Sequence, residues 1–146
     1  VRRIQPCKKP KKKNNMDIFA KFATDEILEV EGRWVDLDKS SKIRVARMNN
    51  EKYQAEFRKQ YAENKATLEK GDEEADELAK QIFISVMAQT ILVGWEGIAY
   101  KGKAMKYSVE NAKKLLQHKD FRVFVEAEAS AFEGYRAKLE EEQGNA

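Results

Sequence analysis

An apolar segment, residues 82–95, constrains the fold more than any other part of the chain. Its interior polar side chains are only Ser85, Gln89 and Thr90. A membrane-spanning helix needs about 20 apolar residues, so this segment is too short and too polar to cross a bilayer. Residues 82–93 are apolar on nearly every side of a helix, which indicates burial. We therefore expect them to form the central helix of a globular core.

Helical spacing and capping residues predict further helices around this segment. The expected N-caps are Asn50, Asp72, Ser108 and Asp120. They place helices at about 50–70, 72–93, 109–118 and 121–143, with the last residues, 140–146, fraying. The first of these helices has an aromatic side chain at every fourth position (Tyr53, Phe57 and Tyr61), a spacing more typical of a core face than of a binding groove.

The sequence before Asn50 has a different pattern. Residues 34–37 and 43–46 are rich in strand-forming side chains, and the polar stretch 38–42 between them has turn chemistry, which predicts a β-hairpin. A lone hairpin is marginal in water, so its Trp34 face should pack on helices. Residues 16–30 predict a short amphipathic helix or an irregular apolar arm. The predicted fold class is mainly α: a helical domain of about four helices with a small N-terminal β-hairpin.

The first fifteen residues, VRRIQPCKKPKKKNN, differ sharply from the rest. They contain seven cations and no acid, so the remainder of the chain is mildly acidic although the whole has a net charge of +3. Such a segment cannot bury apolar surface, and we expect residues 1–15 to be a disordered basic tail before a single domain, 16–146. Met16 is the favoured natural start. A basic arm for nucleic acid or an acidic partner, and a localisation signal, are the alternatives.

Few residues are suited to catalysis. The chain has one cysteine, Cys7, and one histidine, His118, so a His/Cys metal set is not available. His118 falls near the end of the third predicted helix, where a cation favours the helix dipole. The many carboxylates have helical spacing typical of solvated faces. We therefore expect no catalytic, metal or cofactor residues, and we do not expect an enzyme.

The stretch GIAYKGKA, residues 97–104, matches most of a phosphate-binding P-loop. A P-loop leaves a buried strand and enters a helix, and a Ser or Thr follows its lysine to bind magnesium. Here Ala104 occupies the hydroxyl position, a helix is expected before the stretch, and the next cap comes only at Ser108. The glycines Gly97 and Gly102 instead indicate a turn between two helices.

The residues around this turn resemble those of the tail assembly chaperones of long-tailed bacteriophages. The matching positions are Trp95, Gly97, Gly102, Tyr107, Ser108, Glu110, Asn111, Ala112, Leu115 and Leu116, with Ala46, Arg47, Asn50 and Tyr53 upstream. The likeness extends over roughly residues 27–135 and excludes the basic tail. Lys101 stands where the family has an acid, and Met105-Lys106 lacks the family's proline.

The resemblance implies a non-catalytic role in the host cytoplasm. Such a chaperone binds the tape-measure protein, keeps it soluble, helps to recruit the major tail (tube) protein, and is absent from the mature virion. The resemblance implies no membrane and no cofactor. We do not expect residues 16–146 to bind nucleic acid, and self-association stays open. The alternative is a nucleic-acid-binding or regulatory phage protein that uses the basic arm.

Four aromatic side chains are the candidates for partner contact. Trp95 and Tyr107 flank the glycine-rich turn, although each also fits a structural role, with Trp95 closing the core and Tyr107 packing under the turn. Phe132 and Tyr135 lie where the apolar stripe of the last helix fades into the acidic KLEEEQ, residues 138–143. That end of the helix is predicted to face the partner.

Overall fold

The computed structural model of the chain describes residues 15–137. The predicted disordered tail, residues 1–15, lies outside these residues except for Asn15. The predicted fraying of 140–146 and the acidic segment 138–143 also lie outside them. The predicted domain bounds, 1–15 and 16–146, stay predictions.

The chain enters the fold through short elements. They are α1 (Ile18–Lys21), α2 (Glu26–Glu31), β1 (Arg33–Asp36) and β2 (Lys42–Val45). Each short helix begins at an aspartate whose carboxylate accepts a backbone N–H of the first turn: Asp17 from Ala20 and Asp25 from Ile27 and Leu28. Aspartate at this position satisfies N–H groups that the helix itself cannot pair.

The predicted hairpin is present but buries the opposite face. β1 and β2 pair antiparallel, with Val35 opposite Ile43. Val35 and Ile43 point into the core, and the alternation of a strand therefore places Trp34 outside, where it is 41% exposed. The Lys42 ammonium lies 4.5 Å from the Trp34 ring centre. The expectation that the Trp34 face packs on helices is wrong.

Two of the predicted helices follow with their caps in place. α3 (Glu51–Glu63) begins after Asn50, whose side chain accepts from Tyr53 N at 3.0 Å. α5 (Glu73–Thr90) begins after Asp72, which accepts from Ala75 N at 2.9 Å. The segment predicted as one helix to residue 70 divides at Asn64, and a separate turn, α4 (Lys65–Leu68), precedes α5.

The central helix ends earlier than predicted, and its last part is a strand. β3 (Leu92–Glu96) pairs antiparallel with β2 and completes a three-stranded sheet of order β1-β2-β3. Leu92 is fully buried, as is Ile91 before it. A short run of apolar residues has no periodicity that separates strand from helix, which explains the error.

The remaining elements lead back to the sheet. They are β4 (Ala99–Tyr100), β5 (Lys103–Ala104), α6 (Val109–Leu116), α7 (Lys119–Ala129) and a 3₁₀ helix (Phe132–Tyr135). The predicted last helix thus stops at Ala129 rather than continuing to 143. Beyond it the chain lies against the sheet, where the buried Tyr135 donates its hydroxyl to the Val45 carbonyl at 2.8 Å.

The predicted fold class is wrong. Residues 15–137 form seven α-helices, several of only one turn, and two small antiparallel sheets, instead of about four helices with one hairpin. One hydrophobic core joins the inner face of the three-stranded sheet to α5, α6 and α7. No helix among the described residues has the length and apolar character to span a bilayer.

Candidate functional site

The GIAYKGKA stretch folds as a β-hairpin that projects from the end of β3. Ala99 pairs with Ala104, and Tyr100 pairs with Lys103. The two central residues both have positive φ, 53° at Lys101 and 80° at Gly102, the conformation that suits the twist of a two-residue hairpin. The base of the hairpin is held to the first sheet by Ser41, whose hydroxyl donates to the Gly97 carbonyl at 2.8 Å.

This geometry is not that of a P-loop. One sequence argument against it was wrong, because the stretch follows a strand, β3, and not a helix. The other two hold: Ala104 supplies no hydroxyl, and α6 begins only at Val109. The residues after Gly102 return as β5, so they do not form the helix N-terminus that cradles phosphate.

Trp95 and Tyr107 pack together beneath the hairpin. Trp95 is 7% exposed, and its indole Nε1 donates to the Met105 carbonyl at 2.7 Å. The Tyr107 ring meets it edge-on at 5.1 Å between ring centres. The Tyr107 hydroxyl donates to the Leu92 carbonyl at 2.9 Å, and burial raises the pKa of this tyrosine. Both residues therefore fasten the hairpin to the core.

Phe132 and Tyr135 lie in the 3₁₀ helix that follows α7. Tyr135 is fully buried, and the Arg33 guanidinium lies 5.0 Å from its ring centre. Burial raises the pKa of Tyr135, and the nearby Arg33 opposes that rise. Phe132 is half-buried against Phe22, 5.4 Å between ring centres. The structure thus brings together only Trp95 and Tyr107, and contact of any of the four with a partner stays a prediction.

Two pockets lie beside the hairpin. The first, the hairpin pocket, has a volume of about 530 Å³. It is lined by residues of the hairpin and by those next to it in the sequence: Trp95, Glu96, Gly97, Ile98, Ala99, Ala104, Met105, Lys106 and Tyr107. The second, the α7 pocket, has a volume of about 400 Å³ and is lined by Ile98, Tyr100, Lys114, Leu115, His118 and Phe121. Volumes of this size are typical of sites that accept a ligand or a large side chain.

The α7 pocket combines an apolar floor with a basic rim. Ile98, Leu115 and Phe121 supply the floor and also pack on the core. Lys114 and His118 stand at the rim. Such a pocket can bind an apolar side chain, and its rim favours a carboxylate beside that side chain.

The residues of the α7 pocket were not identified from the sequence. Ile98 and Tyr100 alternate within a stretch bounded by glycines, a strand pattern that was the one available signal. Leu115 and Phe121 belong to two different helices, and nothing in their local sequence shows that they meet a hairpin.

His118 has a different position from the one expected. It is the N-cap of α7, where its Nδ1 accepts from Phe121 N at 3.4 Å, rather than a residue at the end of a helix. Within residues 15–137 no three His, Cys, Asp or Glu side chains are grouped closely enough to hold a metal ion.

The described residues form a small domain of helices and two antiparallel sheets, with two pockets beside one hairpin. Residues 48–145, more than half of the chain, match a family described as YdaY prophage protein, and the chain belongs to that family. It is therefore a phage-derived protein. Comparison with curated proteins gave no match, and comparison with solved structures gave none either.

Proposed function

We propose that this protein is a non-catalytic tail assembly chaperone of a long-tailed phage. It binds the tape-measure protein, keeps it soluble in the host cytoplasm, and helps to recruit the major tail protein. It leaves before the tail is complete and is absent from the mature virion. The prophage family and the likeness around residues 95–116 support this proposal. The two pockets offer a place where apolar side chains of the partner can bind.

The observation that carries the proposal is the pair of largely apolar pockets beside the hairpin. Ile98 lines both pockets, so the two adjoin, and we call them together the hairpin surface. A long helical protein with exposed apolar stripes aggregates unless those stripes are covered. A helix laid across the hairpin surface places successive apolar side chains into the two pockets.

The charges around the hairpin surface define the partner further. Lys101, Lys103 and Lys106 are exposed on or beside the hairpin, and Lys114 stands at the rim of the α7 pocket. The best partner helix therefore has an apolar ridge flanked by acidic residues. Opposite charges at the rim fix the register and speed of association more than they add affinity.

Co-expression tests the proposal. The tape-measure product encoded by the same prophage, expressed alone, is expected to be largely insoluble. With this chain it should appear in the soluble fraction and co-purify. If the product stays insoluble, or is soluble but does not bind the chain, the chaperone function is refuted.

Deletion of residues 1–15 separates the proposal from its alternative. A chaperone that uses the hairpin surface keeps its solubilising effect without this basic segment. A nucleic-acid-binding protein that uses the segment loses salt-sensitive binding to DNA, because each phosphate contact releases counterions. DNA binding that vanishes on deletion, together with no effect on the tape-measure product, would favour the alternative.

A further inference from the structure

An exposed apolar arm lies before α2 in the chain. The arm, residues 16–22, contains α1, of which no residue is buried. Met16, Ile18 and Phe22 are each more than half exposed, and Phe19 is 90% exposed. Scattered apolar residues on a surface are ordinary, but four within seven residues form a patch that water disfavours. The arm therefore offers a surface for contact.

The arm is held in place where it joins the fold. The Phe22 ring packs on Phe132, immediately after α7, at 5.4 Å between ring centres. Next to it, Ala137 N donates to the Ala23 carbonyl at 3.1 Å, and Thr24 pairs with Arg136 in an isolated bridge. The base of the arm is thus fixed at the C-terminal end of α7.

The α7 pocket lies at the other end of the same helix. Phe121, which lines it, is in the first turn of α7, an 11-residue helix about 16 Å long. Phe19 is only one helical turn, about 5 Å, from Phe22. Phe19 therefore cannot reach the α7 pocket of its own chain, whereas the pocket of a second chain is accessible to it.

The arm and the pocket are complementary in size and charge. The pocket, about 400 Å³, accommodates a phenyl ring and part of a neighbouring side chain. Asp17 lies two residues before Phe19, and its carboxylate makes only a long contact, 3.3 Å, with Ala20 N. The pocket's lining contains Lys114 and His118 and no acidic residue. With Phe19 inserted, Asp17 falls at this basic rim.

We propose that Phe19 of one copy enters the α7 pocket of a second copy, so that the chains associate head to tail. Because the two surfaces lie at opposite ends of α7, the contact is heterologous, and it extends into a ring or an open chain of copies. The association needs no phage partner and does not depend on the proposed chaperone function.

Sedimentation of the full chain over a range of concentrations, at near-physiological salt, tests the proposal. The salt screens repulsion between the basic N-terminal segments. The wild type should show a mass that rises with concentration. Phe19→Ser, which removes the inserted ring, and Tyr100→Glu, which adds a carboxylate at the pocket, should each weaken association at least about tenfold. Tyr61→Glu is the matched control, since Tyr61 on α3 is 43% exposed and Tyr100 is 41% exposed.

A mixture of the two variants tests the head-to-tail geometry. The Phe19→Ser chain keeps an intact pocket, and the Tyr100→Glu chain keeps an intact arm. Mixed in equal amounts, they should form a two-copy species in which the intact arm fills the intact pocket. This species grows no further, because the arm and the pocket left free in it are the two altered ones. A monomeric wild type, variants that associate like the wild type, or a mixture that stays monomeric would each overturn the proposal.

Discussion

At the scale of single residues, Gly97 is the position where the backbone tolerates no side chain. Its φ is +74°, and a Cβ there would overlap the backbone carbonyl of Ser40. Positive φ alone costs a non-glycine residue about 1–3 kcal/mol. The glycine thus lets the hairpin lie against the turn between β1 and β2.

Gly97→Ala should lower the free energy of unfolding by more than Gly102→Ala does. Gly102 also has positive φ, +80°, but an added Cβ there meets nothing within 4 Å. The second substitution therefore carries only the cost of positive φ, about 1–3 kcal/mol. Urea unfolding of both variants measures the difference. Equal losses would show that the contact with Ser40 is unimportant.

Tyr135, which is buried, and Tyr107, which is half-buried, predict how stability depends on pH. Burial raises the pKa of Tyr107 and of Tyr135 in the folded protein. The unfolded chain ionises tyrosine near pH 10, while the folded protein keeps both hydroxyls protonated. The stabilisation is therefore complete below about pH 10 and is lost as the pH rises through the folded pKa values.

Urea midpoints measured from neutral to alkaline pH should show this loss, and Tyr107→Phe should make it shallower. That variant also loses the hydrogen bond to the Leu92 carbonyl, about 1 kcal/mol at neutral pH. An alkaline slope equal to that of the wild type would contradict the assignment.

At the scale of elements, side-chain caps define where the helices begin. Ser108 accepts from Asn111 N at 3.0 Å and starts α6, as its sequence predicted. Asp120, predicted to cap the last helix, lies instead inside the first turn of α7, behind the cap His118. Ser108→Ala should destabilise the protein by about 1 kcal/mol, and Asp120→Ala by less, since it loses only a favourable charge near the helix N-terminus. Thermal unfolding compares them, and the reverse order would be inconsistent with these caps.

The difference between local capping and long-range strand pairing explains which elements could be predicted. Asn50, Asp72 and Ser108 cap the helices expected of them, because capping depends on neighbours a few residues away. The extent of α5 and the existence of β3 depend on pairing with β2, nearly fifty residues earlier in the chain. Local spacing contains no information about such pairing, and the last helix was overextended for the same reason.

In the molecule as a whole, the α7 pocket and the base of the apolar arm lie at opposite ends of α7. The α7 pocket draws side chains from the hairpin, α6 and α7, and the arm is anchored by the segment after α7. The sequence indicated the hairpin as a glycine-bounded turn and indicated the arm. It could not show the pocket, because Ile98, Leu115 and Phe121 become neighbours only in the folded protein.

The proposed function requires the hairpin surface to bind a helix of the tape-measure protein. Calorimetric titration of a helical tape-measure segment into the wild type and two variants tests it most directly. Ala104→Glu adds a carboxylate to the hairpin pocket at an exposed position, and Ala62→Glu adds one to the exposed side of α3 as the control. We predict that Ala104→Glu weakens binding at least about tenfold while Ala62→Glu binds like the wild type. Equal affinity of all three chains, or no binding by the wild type, would refute binding of the helix at the hairpin surface.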